Sequence, residues 1–549
     1  MPQIRSSLPI RSRNSLVGLV VILLTIGHAG ESYAAQARTS DFVELDGAIV
    51  EFWQAKTNDE VAAASMAILE TDATIEDIWP RLRAGRNYDR SVPTGRRLLS
   101  RTNRDGIEHE YVVLIPDNYD PAIRYPVRVY LHGGVSRPKR ENGEFWRNEA
   151  RIMRNDAVVV IPSGWSESLW WQDSQIENLN GILQDLKRVY NLDENKVFLL
   201  GISDGATGAY YQGLKATTPW AAFLPLNGHP VVLANPATEV DGDIHVTNLR
   251  NKPLFVINGD EDPLYPTSSV VPFMRLFQEA GVSIDFRAQP NAGHDTSWWD
   301  AEAPAMDTFM AEWSRRPLPP RLSWETETTD RYNRAHWLVI DELGVVEGEP
   351  NLESYNTLVD PSQGVPLGIN RLGELQNGTG LRIFEVGEDS IASAAGMRNE
   401  DTLVGVDGEL NPSVEDLKQA LTGFAPGQRI PLLVQRGGEQ LELTLIYPEQ
   451  AAPRSRPAFQ KVLPSGRVEL DQQGNQATAS TRGVTRFTLL LSPDQFDFTQ
   501  PITVVTNGVT VFDDVVEPDV EVLLRWAAID RDRTAMYGAE LSIDVETQQ

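Results

Sequence analysis

The chain has 549 residues, a formal net charge of −28 at pH 7 and no cysteine. This length is enough for roughly three or four domains, and the absence of cysteine means that hydrophobic cores rather than disulfides must hold them together. The acidic residues are dispersed along the chain. A surface of this charge repels phosphate backbones, which argues against a nucleic-acid partner.

Residues 1–37 have the layout of a cleaved secretory signal. Arg5, Arg11 and Arg13 precede the short apolar run Leu16–Ile26, and small residues follow up to Ala37. An uncleaved membrane anchor is the alternative, but the short run and the Ala-x-Ala site favour cleavage. The pattern therefore predicts a periplasmic or secreted protein with no stable membrane anchor.

Residues 38–104 are predicted to form an N-terminal helical segment. Apolar residues between Phe42 and Phe52 recur at helical spacing. A later short helix, capped by Asp72 or Thr74, is expected to be kinked or stopped by Pro80. No function is visible in this segment.

Residues 105–315 alternate between strand and helix patterns, which predicts an α/β domain with a mostly parallel sheet and helices on both faces. The proline-rich run Arg316–Arg321 marks its boundary. The predicted strands are Glu110–Ile115, Pro126–Leu131, Ala157–Ile161, Lys196–Leu200, Pro253–Ile257 and Ser283–Phe286, and the predicted helices are Glu177–Tyr190 and one after Gly205.

A candidate nucleophile lies in the pentapeptide Gly201–Gly205, which follows the strand Lys196–Leu200 and opens a helix. A Gly-x-Ser-x-Gly sequence alone is a weak signal, but at a strand–turn–helix junction it is specific. The glycines leave room for a tight turn that pushes the serine out at the top of the sheet. Ser203 is therefore the predicted nucleophile.

A serine nucleophile needs a base, and the chain has seven histidines. His294 follows a strand and precedes a helix late in the domain, where the order serine, acid, histidine requires the base. A neutral imidazole can take the serine proton and later donate it to the leaving group. His132 and His229 are the competitors for this role.

Three carboxylates, those of Asp260, Glu261 and Asp262, follow the strand Pro253–Ile257. One of them can orient the imidazole and stabilise its charged form. For the others, a solvated turn is the simpler interpretation.

A His-Gly-Gly turn, His132–Gly134, ends the strand Pro126–Leu131. Together with the serine turn, the acidic turn and the late histidine, it resembles the α/β-hydrolase superfamily, over roughly residues 105–315. In this superfamily the acid usually stands three residues after the glycine of this turn, which here is Gly259. The resemblance therefore selects Asp262, with Asp260 as the alternative.

The resemblance also implies an oxyanion hole of two backbone N–H groups, one from Gly134, with Val135 as the alternative, and one from Asp204. The run Ile115–Gly134 looks like secreted esterases, such as feruloyl and acetylxylan esterases and polyhydroxybutyrate depolymerases. Predicted peptidases of the prolyl oligopeptidase type share it. One departure is Ala206, where such esterases often have a second glycine.

Aromatic residues flank the predicted site in sequence. Trp170, Trp171, Trp298 and Trp299 are candidates for an aromatic substrate cleft, with His229 as a further candidate substrate contact. The alternative is that the tryptophans pack loops, since aromatic side chains bury large areas wherever they lie.

Residues 358–449 resemble a PDZ domain of the bacterial type. The resemblance rests on Ser390–Met397 and Asp401–Gly408, followed by a predicted helix, Val414–Leu421, and a strand pair. Such domains bind an extended peptide as an added strand, and a structural spacer without a ligand is the alternative. The loop that would hold the peptide is Leu367, Gly368 and Ile369.

The flanks of this module, residues 318–345 and 457–549, are both strand-rich, and neither looks complete alone. We expect them to pair into one β-sandwich into which the PDZ module is inserted, because the termini of inserted domains lie close together. Asn507-Gly508 is a hairpin signal, and Glu521–Leu524 is predicted to be a strand.

These features predict an exported serine hydrolase that cleaves carboxylic esters through an acyl-enzyme, without a metal or organic cofactor. The expected partners are an ester or peptide substrate and a peptide or protein ligand of the PDZ module. A serine peptidase and a catalytically idle hydrolase fold acting as an adaptor are the alternatives.

Overall fold

The computed structural model describes residues 42–140, 142–238, 240, 244–360, 367–375, 379–388, 390–448, 454–460 and 463–545. The predicted secretory signal, residues 1–37, lies outside this range. None of the helices in the described residues is both long and apolar enough to span a membrane. The chain forms two compact units, one from Met1–Asn87 with Glu517–Ala539 and one from Tyr88–Val516 with Glu540–Gln549.

The helices of both units are numbered together in chain order. They are α1 (residues 42–54), α2 (Asn58–Leu69), α3 (Ile75–Ala84), α4 (Asp173–Val189), α5 (Asp204–Lys215), α6 (Thr267–Glu279), α7 (Trp299–Glu312), α8 (Ile391–Ala394), α9 (Val414–Gly423) and α10 (Val520–Asp530).

The strands are numbered in the same way. They are β1 (Gly95–Thr102), β2 (Glu108–Ile115), β3 (Tyr125–Leu131), β4 (Val158–Pro162), β5 (Leu192–Ile202), β6 (Ala222–Leu226), β7 (Leu254–Gly259), β8 (Ile284–Gln289), β9 (Arg321–Thr326), β10 (Arg334–Ala335), β11 (Leu338–Leu343), β12 (Thr357–Asp360), β13 (Ile369–Glu374), β14 (Leu381–Val386), β15 (Thr402–Val406), β16 (Glu409–Leu410), β17 (Arg429–Arg436), β18 (Glu439–Ile446), β19 (Arg454–Pro457), β20 (Gly466–Gln473), β21 (Gln476–Arg482), β22 (Val484–Leu491), β23 (Ile502–Thr506), β24 (Val509–Asp514) and β25 (Ala539–Asp544).

The smaller unit is helical and contains α1, α2, α3 and α10. Its core includes Phe52, Ile68, Leu82 and Leu523, all fully buried. Arg531 donates hydrogen bonds to the carbonyl oxygens of residues 53 and 55, at 3.1 and 2.6 Å, and so satisfies acceptors at the end of α1. The helix α3 starts after Thr74 and continues past its internal proline to residue 84.

The segment Glu521–Leu524, expected to be a strand, is instead the first part of α10. Asp519 caps this helix, since its side chain accepts hydrogen bonds from the backbone N–H groups of Glu521 and Val522. Leu523, Leu524 and later apolar residues lie on the side that enters the helical core. The β-rich region 457–549 is thus interrupted by a helical segment that belongs to the other unit.

The larger unit begins with an eight-stranded sheet in the order β1-β2-β4-β3-β5-β6-β7-β8. Strands β3 to β8 are parallel, and β2 runs antiparallel to both of its neighbours. The predicted segment 38–104 therefore is not entirely helical, because β1 pairs with β2 along its whole length. Most of β1 is exposed at the sheet edge, and its sequence, GRRLLSRT, lacks the apolar run of an inner strand.

Each face of this sheet has its own hydrophobic core. In β4, Val158 and Val160 pack with apolar residues of α4, α5 and α6, whereas Val159 and Ile161 pack with those of α7. Strands that are buried on both faces are continuous apolar runs, as β4 is. The chain therefore has an α/β sheet with helices on both faces.

A second sheet, β13-β14-β15-β17-β18 with β16 beside β15, lies in the region predicted to be a PDZ module. Its core is separate and includes Leu381, Leu403, Leu417 and Val434. The strand β12, at the start of this region, pairs antiparallel with β19, just after its end, and so brings its two ends together. Phe459, which follows β19, packs on Phe273 of α6 with 5.8 Å between ring centres.

The two strand-rich flanks share two further sheets, β10-β11-β22-β25 and β24-β23-β21-β20-β9. From the first flank, β9 pairs with β20 and β11 pairs with β22. Trp324 and Trp337 are fully buried between these elements, and their indole N–H groups donate to backbone carbonyl oxygens. Strands from both flanks thus complete each other's sheets.

A buried ion cluster joins this β-rich region to the α/β sheet domain. Lys215, at the end of α5, is 2.8 Å from Glu327, and His245 donates to the same carboxylate at 2.8 Å. The Lys215 and Glu327 side chains are only 4 % and 6 % exposed. Burial alone would raise the pKa of Glu327, but the hydrogen bond from His245 and the charge and hydrogen bond of Lys215 lower it to about 2.

The variant Glu327→Gln should lower the free energy of unfolding by about 3 kcal/mol at pH 7, because it leaves a buried ammonium without its carboxylate. In the wild type, this contribution is present above the ordinary glutamate pKa of 4.5 and is lost as the pH falls towards 2. The difference between the two proteins, measured by urea unfolding from pH 7 to pH 3, should therefore narrow below pH 4.5. The exposed Glu312→Gln is the matched control, and an equal loss there would contradict the assignment.

Candidate active site

Ser203 stands at a sharp turn between β5 and α5. Its backbone has φ 58° and ψ −119°, a conformation that costs free energy for any residue other than glycine. A Cβ atom at Gly201 would lie 1.9 Å from the carbonyl oxygen of Gly205, and one at Gly205 would lie 2.0 Å from that of Leu131. Only glycine fits at both positions, so the turn presents the serine at the carboxyl end of the sheet.

A continuous hydrogen-bond chain joins Ser203 to His294 and Asp262. The imidazole Nε2 of His294 is 3.0 Å from the serine Oγ, and its Nδ1 is 2.7 Å from Oδ2 of Asp262. Oδ1 of Asp262 accepts from the backbone N–H groups of Leu264 and Tyr265, at 2.8 and 3.0 Å. The carboxylate side chain is fully buried, so it is held in one orientation towards the ring.

The other carboxylates of the acidic turn lie apart from this chain. Asp260 and Glu261 are both exposed, and their backbone N–H groups donate to the carbonyl oxygens of Gln289, at the end of β8, and of Ala292, in the loop before His294. The geometry thus brings Asp262, rather than Asp260, to the imidazole.

The predicted oxyanion residues lie beside the serine, but they are not equivalent. The N–H of Val135 donates to Oδ2 of Asp204 at 2.8 Å, so it is already used. Within the described part of the chain, the N–H groups of Gly134 and Asp204 have no hydrogen-bond acceptor. Gly134 has φ +72°, which suits glycine, and both residues line the same cavity as Ser203. Gly134 is therefore the better candidate than Val135.

The competing histidines are used elsewhere. His132 accepts from the N–H of Gly164 at Nε2 and lies against the Gly133 carbonyl at Nδ1. His229 accepts from the N–H of Val231, and its other nitrogen contacts the Ser269 carbonyl. Burial lowers the pKa of each to about 4. In each ring one nitrogen accepts a hydrogen bond from a backbone N–H group and the other contacts a backbone carbonyl oxygen. Both histidines are therefore neutral, and neither has a free nitrogen for the serine.

The structure corrects the expected substrate contacts, because none of them lines the Ser203 cavity. These residues are Trp170, Trp171, Trp298 and His229. Trp170 is fully buried and donates to the His132 carbonyl, which makes it a packing residue. Trp171 lines a second cavity. Trp298 and His229 are buried, at 6 % and 4 % exposure.

The cavity at Ser203 has a volume of about 650 Å³ and has apolar and cationic walls. Trp146, Trp299 and Tyr265 are aromatic residues of the wall. Sequence reasoning missed the charged part, although the arginine spacing in an otherwise acidic chain was a usable signal. The cationic residues are Arg137, Arg140, Arg147 and Arg151.

The predicted peptide-binding loop lies at the start of β13. The carbonyl oxygens of Leu367 and Gly368 accept from the backbone N–H groups of Ala392 and Gly387, both at 2.7 Å. Gly368 has φ +76°, and a Cβ atom there would lie 2.1 Å from the Ser390 side chain. Ile369 begins β13, an outer strand of its sheet.

An eight-stranded mixed sheet with a serine on a strand–turn–helix junction is the fold of the α/β hydrolases, and it occupies the first half of the larger unit. No family model matches the chain. Over 254 residues the chain is 23 % identical to a bifunctional acetylxylan esterase/xylanase of Neocallimastix patriciarum. The aligned region covers 44 % of this chain and 35 % of that protein.

Two further similarities concern smaller parts or more distant proteins. A stretch of 64 residues, 12 % of the chain, is 39 % identical to an Agrobacterium fabrum protein named "Putative zinc metalloprotease", of which it covers 17 %. The chain thus spans about a third or less of the length of these curated relatives. Among solved structures, a thermostable esterase is 18 % identical with a TM-score of 0.33, covering 40 % of this chain and 63 % of that one.

Proposed function

We propose that the chain is a serine hydrolase that cleaves carboxylic esters through an acyl-enzyme. The observation that carries this proposal is the hydrogen-bond chain Ser203–His294–Asp262, with distances of 3.0 and 2.7 Å, at the wall of a 650 Å³ cavity. The similarity to the acetylxylan esterase/xylanase supports an ester rather than a peptide substrate.

Each residue has a defined part in this mechanism. His294 takes the proton of Ser203 as the Oγ attacks the ester carbonyl, while buried Asp262 stabilises the imidazolium that forms. The N–H groups of Gly134 and Asp204 donate to the oxyanion of the tetrahedral intermediate. His294 then protonates the leaving alcohol, and water, activated by the same base, releases the acid.

Turnover of matched substrates tests the proposal. The purified protein should hydrolyse 4-nitrophenyl butyrate at least about a hundredfold faster than 4-nitrobutyranilide, because amide cleavage needs protonation of a poorer leaving group. It should also be labelled by a fluorophosphonate probe. Cleavage of the anilide at a rate within about a hundredfold of the ester rate would favour a peptidase, because a peptidase is built to protonate an amine leaving group. Absence of both labelling and turnover would favour an adaptor.

We also propose that residues 358–449 form a PDZ module that binds an extended peptide along β13. Support comes from the position of β13 at the outer edge of its sheet and from the Gly368 turn that precedes it. Titration with fluorescent peptides ending in a free carboxylate, and with their amidated forms, tests this role. Equal binding of both forms, or of neither, would contradict it.

Export to the periplasm or the medium is the third part of the proposal and rests on the pattern of residues 1–37. N-terminal sequencing of the mature protein should start at or near Arg38. A mature protein that keeps Leu16–Ile26 would indicate an anchor instead.

A further inference from the structure

Arginines are concentrated at the Ser203 cavity of a chain whose formal net charge is −28. The loop after the His-Gly-Gly turn contributes Arg137, Arg140 and Arg147 to the cavity wall. Arg151 also lines it, but it is paired with Asp300 at 3.4 Å. The other three, Arg137, Arg140 and Arg147, are called the arginine group below, and their concentration at this cavity needs an explanation.

The arginine group has no acidic partner among the described residues. Arg140 donates to the carbonyl oxygens of Phe145 and Gly133, at 3.0 and 3.4 Å, and Arg137 and Arg147 are exposed. Burial, and then repulsion from the charges of Arg147 and Arg137, lower the pKa of Arg140. Such a cluster costs free energy unless an anion binds to it.

The two acidic side chains of the cavity wall are engaged elsewhere. Asp204 accepts from the N–H of Val135 at 2.8 Å. Asp295 accepts from the N–H of Ser297 at 2.8 Å, and hydrogen bonds from the Ser297 side chain and then from this N–H lower the pKa of Asp295, with a smaller contribution from His294. Neither forms an ion pair with a residue of the arginine group in the described part of the chain.

The arginine group lies close to the reacting atoms. A Cβ atom built on Gly134 would be 3.9 Å from Nη2 of Arg140 and 4.0 Å from Nε of Arg137. Gly134 is the candidate oxyanion donor, and so a substrate whose carbonyl carbon is at Ser203 has its substituents within reach of these side chains. The aromatic residues Trp146 and Trp299 line the same cavity and offer contact to an apolar portion.

We propose that the cavity selects esters whose acid or alcohol part carries a carboxylate, which the arginine group binds. Guanidinium groups match carboxylates in charge and geometry, and a cationic cleft raises the local concentration of an anionic substrate. This inference rests on the proposed ester hydrolysis and names its substrate class. It also explains why the cationic residues lie at this cavity while the chain as a whole is acidic.

Matched ester pairs test the inference. The wild type should hydrolyse mono(4-nitrophenyl) glutarate at least about tenfold better, in kcat/KM, than its methyl ester, a difference of one well-placed charged contact. The pair 3-carboxy-4-nitrophenyl butyrate and 4-nitrophenyl butyrate places the carboxylate on the alcohol part instead. A preference within either pair supports the inference and assigns the side, and no preference within either pair overturns it.

Substitution of the arginine group should remove this preference. In the double variant Arg137→Gln/Arg147→Gln, the ratio of kcat/KM values for the anionic and neutral esters should fall at least about tenfold. The wild-type ratio should also fall as NaCl is raised from about 20 mM to 0.5 M, since salt screens exposed charges. A ratio unchanged by both treatments would overturn the inference.

Lys139→Gln is the matched control, because it removes one positive charge from the same loop. Its Nζ is 3.5 Å from Oε2 of Glu110 and 3.1 Å from the Glu108 carbonyl, and Lys139 does not line the cavity. This variant should keep the wild-type ratio. An equal fall there would show that net charge, rather than the arginine group, sets the preference.

A binding measurement separates failure of this inference from failure of the proposed function. The Ser203→Ala protein should bind glutaric acid monoanilide, followed by tryptophan fluorescence, at least about tenfold more tightly than the methyl ester of that anilide. If neither ester class is hydrolysed but this selectivity is seen, ester hydrolysis fails and anion recognition stands. If the neutral ester is hydrolysed, neither ester pair shows a preference and the anilide pair binds equally, only anion recognition fails.

Discussion

Replacing Ser203 with alanine should lower kcat/KM for 4-nitrophenyl butyrate by about 10⁵-fold or more, because nucleophilic attack and acyl-enzyme formation are lost together. Alanine removes only the Oγ that lies 3.0 Å from Nε2 of His294. The strained backbone at this turn is the same for both side chains. Initial rates with the two purified proteins, together with labelling by a fluorophosphonate, measure the effect.

Two controls make this result specific. Ser269→Ala changes another serine, on α6, whose Oγ is bonded to the Pro266 carbonyl outside the cavity, and it should keep wild-type activity. Residues that act as one unit are not additive, and so His294→Ala in the Ser203→Ala background should cause almost no further loss. If the Ser203→Ala variant alone kept more than a few per cent of the wild-type activity, Ser203 would be excluded as the nucleophile.

Most inner strands of the α/β sheet were predictable because they carry their own signal, although the inner strand Ala222–Leu226 was missed. Val158–Pro162 is buried on both faces and consists of consecutive apolar residues, so no other assignment competes with a strand. The edge strand Gly95–Thr102 was missed because one side of it faces solvent and its charged residues satisfy that environment. Pairing with Glu108–Ile115, which no local pattern encodes, decides its structure.

Glu521–Leu524 illustrates the opposite error. Its valine and two leucines fit a strand locally, but the cap at Asp519 and the helical core contributed by residues more than 400 positions earlier favour a helix. A contact between residues so far apart in the sequence leaves no local pattern from which it could be predicted. Tertiary packing therefore overrode the local β propensity.

In the candidate site, too, some residues were predictable from local sequence and others depend on tertiary packing. Ser203 and His294 stand in turns whose glycines and position reveal them, whereas the cavity walls depend on the depth of each side chain. Trp298 and Trp299 are neighbours in sequence, yet only Trp299 lines the cavity. Neighbouring positions in the sequence place two residues on the same loop, but they do not determine which of the side chains faces the cavity. The arginine group was missed because its residues form no recognised motif, although arginines concentrated on one loop of an acidic chain were a usable signal.

Asp262→Asn should lower kcat/KM by about 10⁴-fold, and Asp260→Asn should leave it within about twofold of the wild type. The asparagine can still accept from the backbone N–H groups of Leu264 and Tyr265, which hold Oδ1 at 2.8 and 3.0 Å, so the turn should survive. It cannot stabilise the imidazolium of His294 by charge, and its amide favours the wrong tautomer of the ring.

The two variants are a matched pair, because each removes one negative charge from the same acidic turn. Asp260 is exposed, whereas the Asp262 side chain is buried with Oδ2 2.7 Å from the imidazole. Steady-state rates at pH 8, with thermal unfolding to verify folding, measure the contrast. A loss confined to Asp260→Asn would reassign the acid, and equal small losses would mean that charge near the imidazole does little. Since only the buried carboxylate can stabilise the imidazolium through a direct hydrogen bond, the large loss should belong to Asp262 alone.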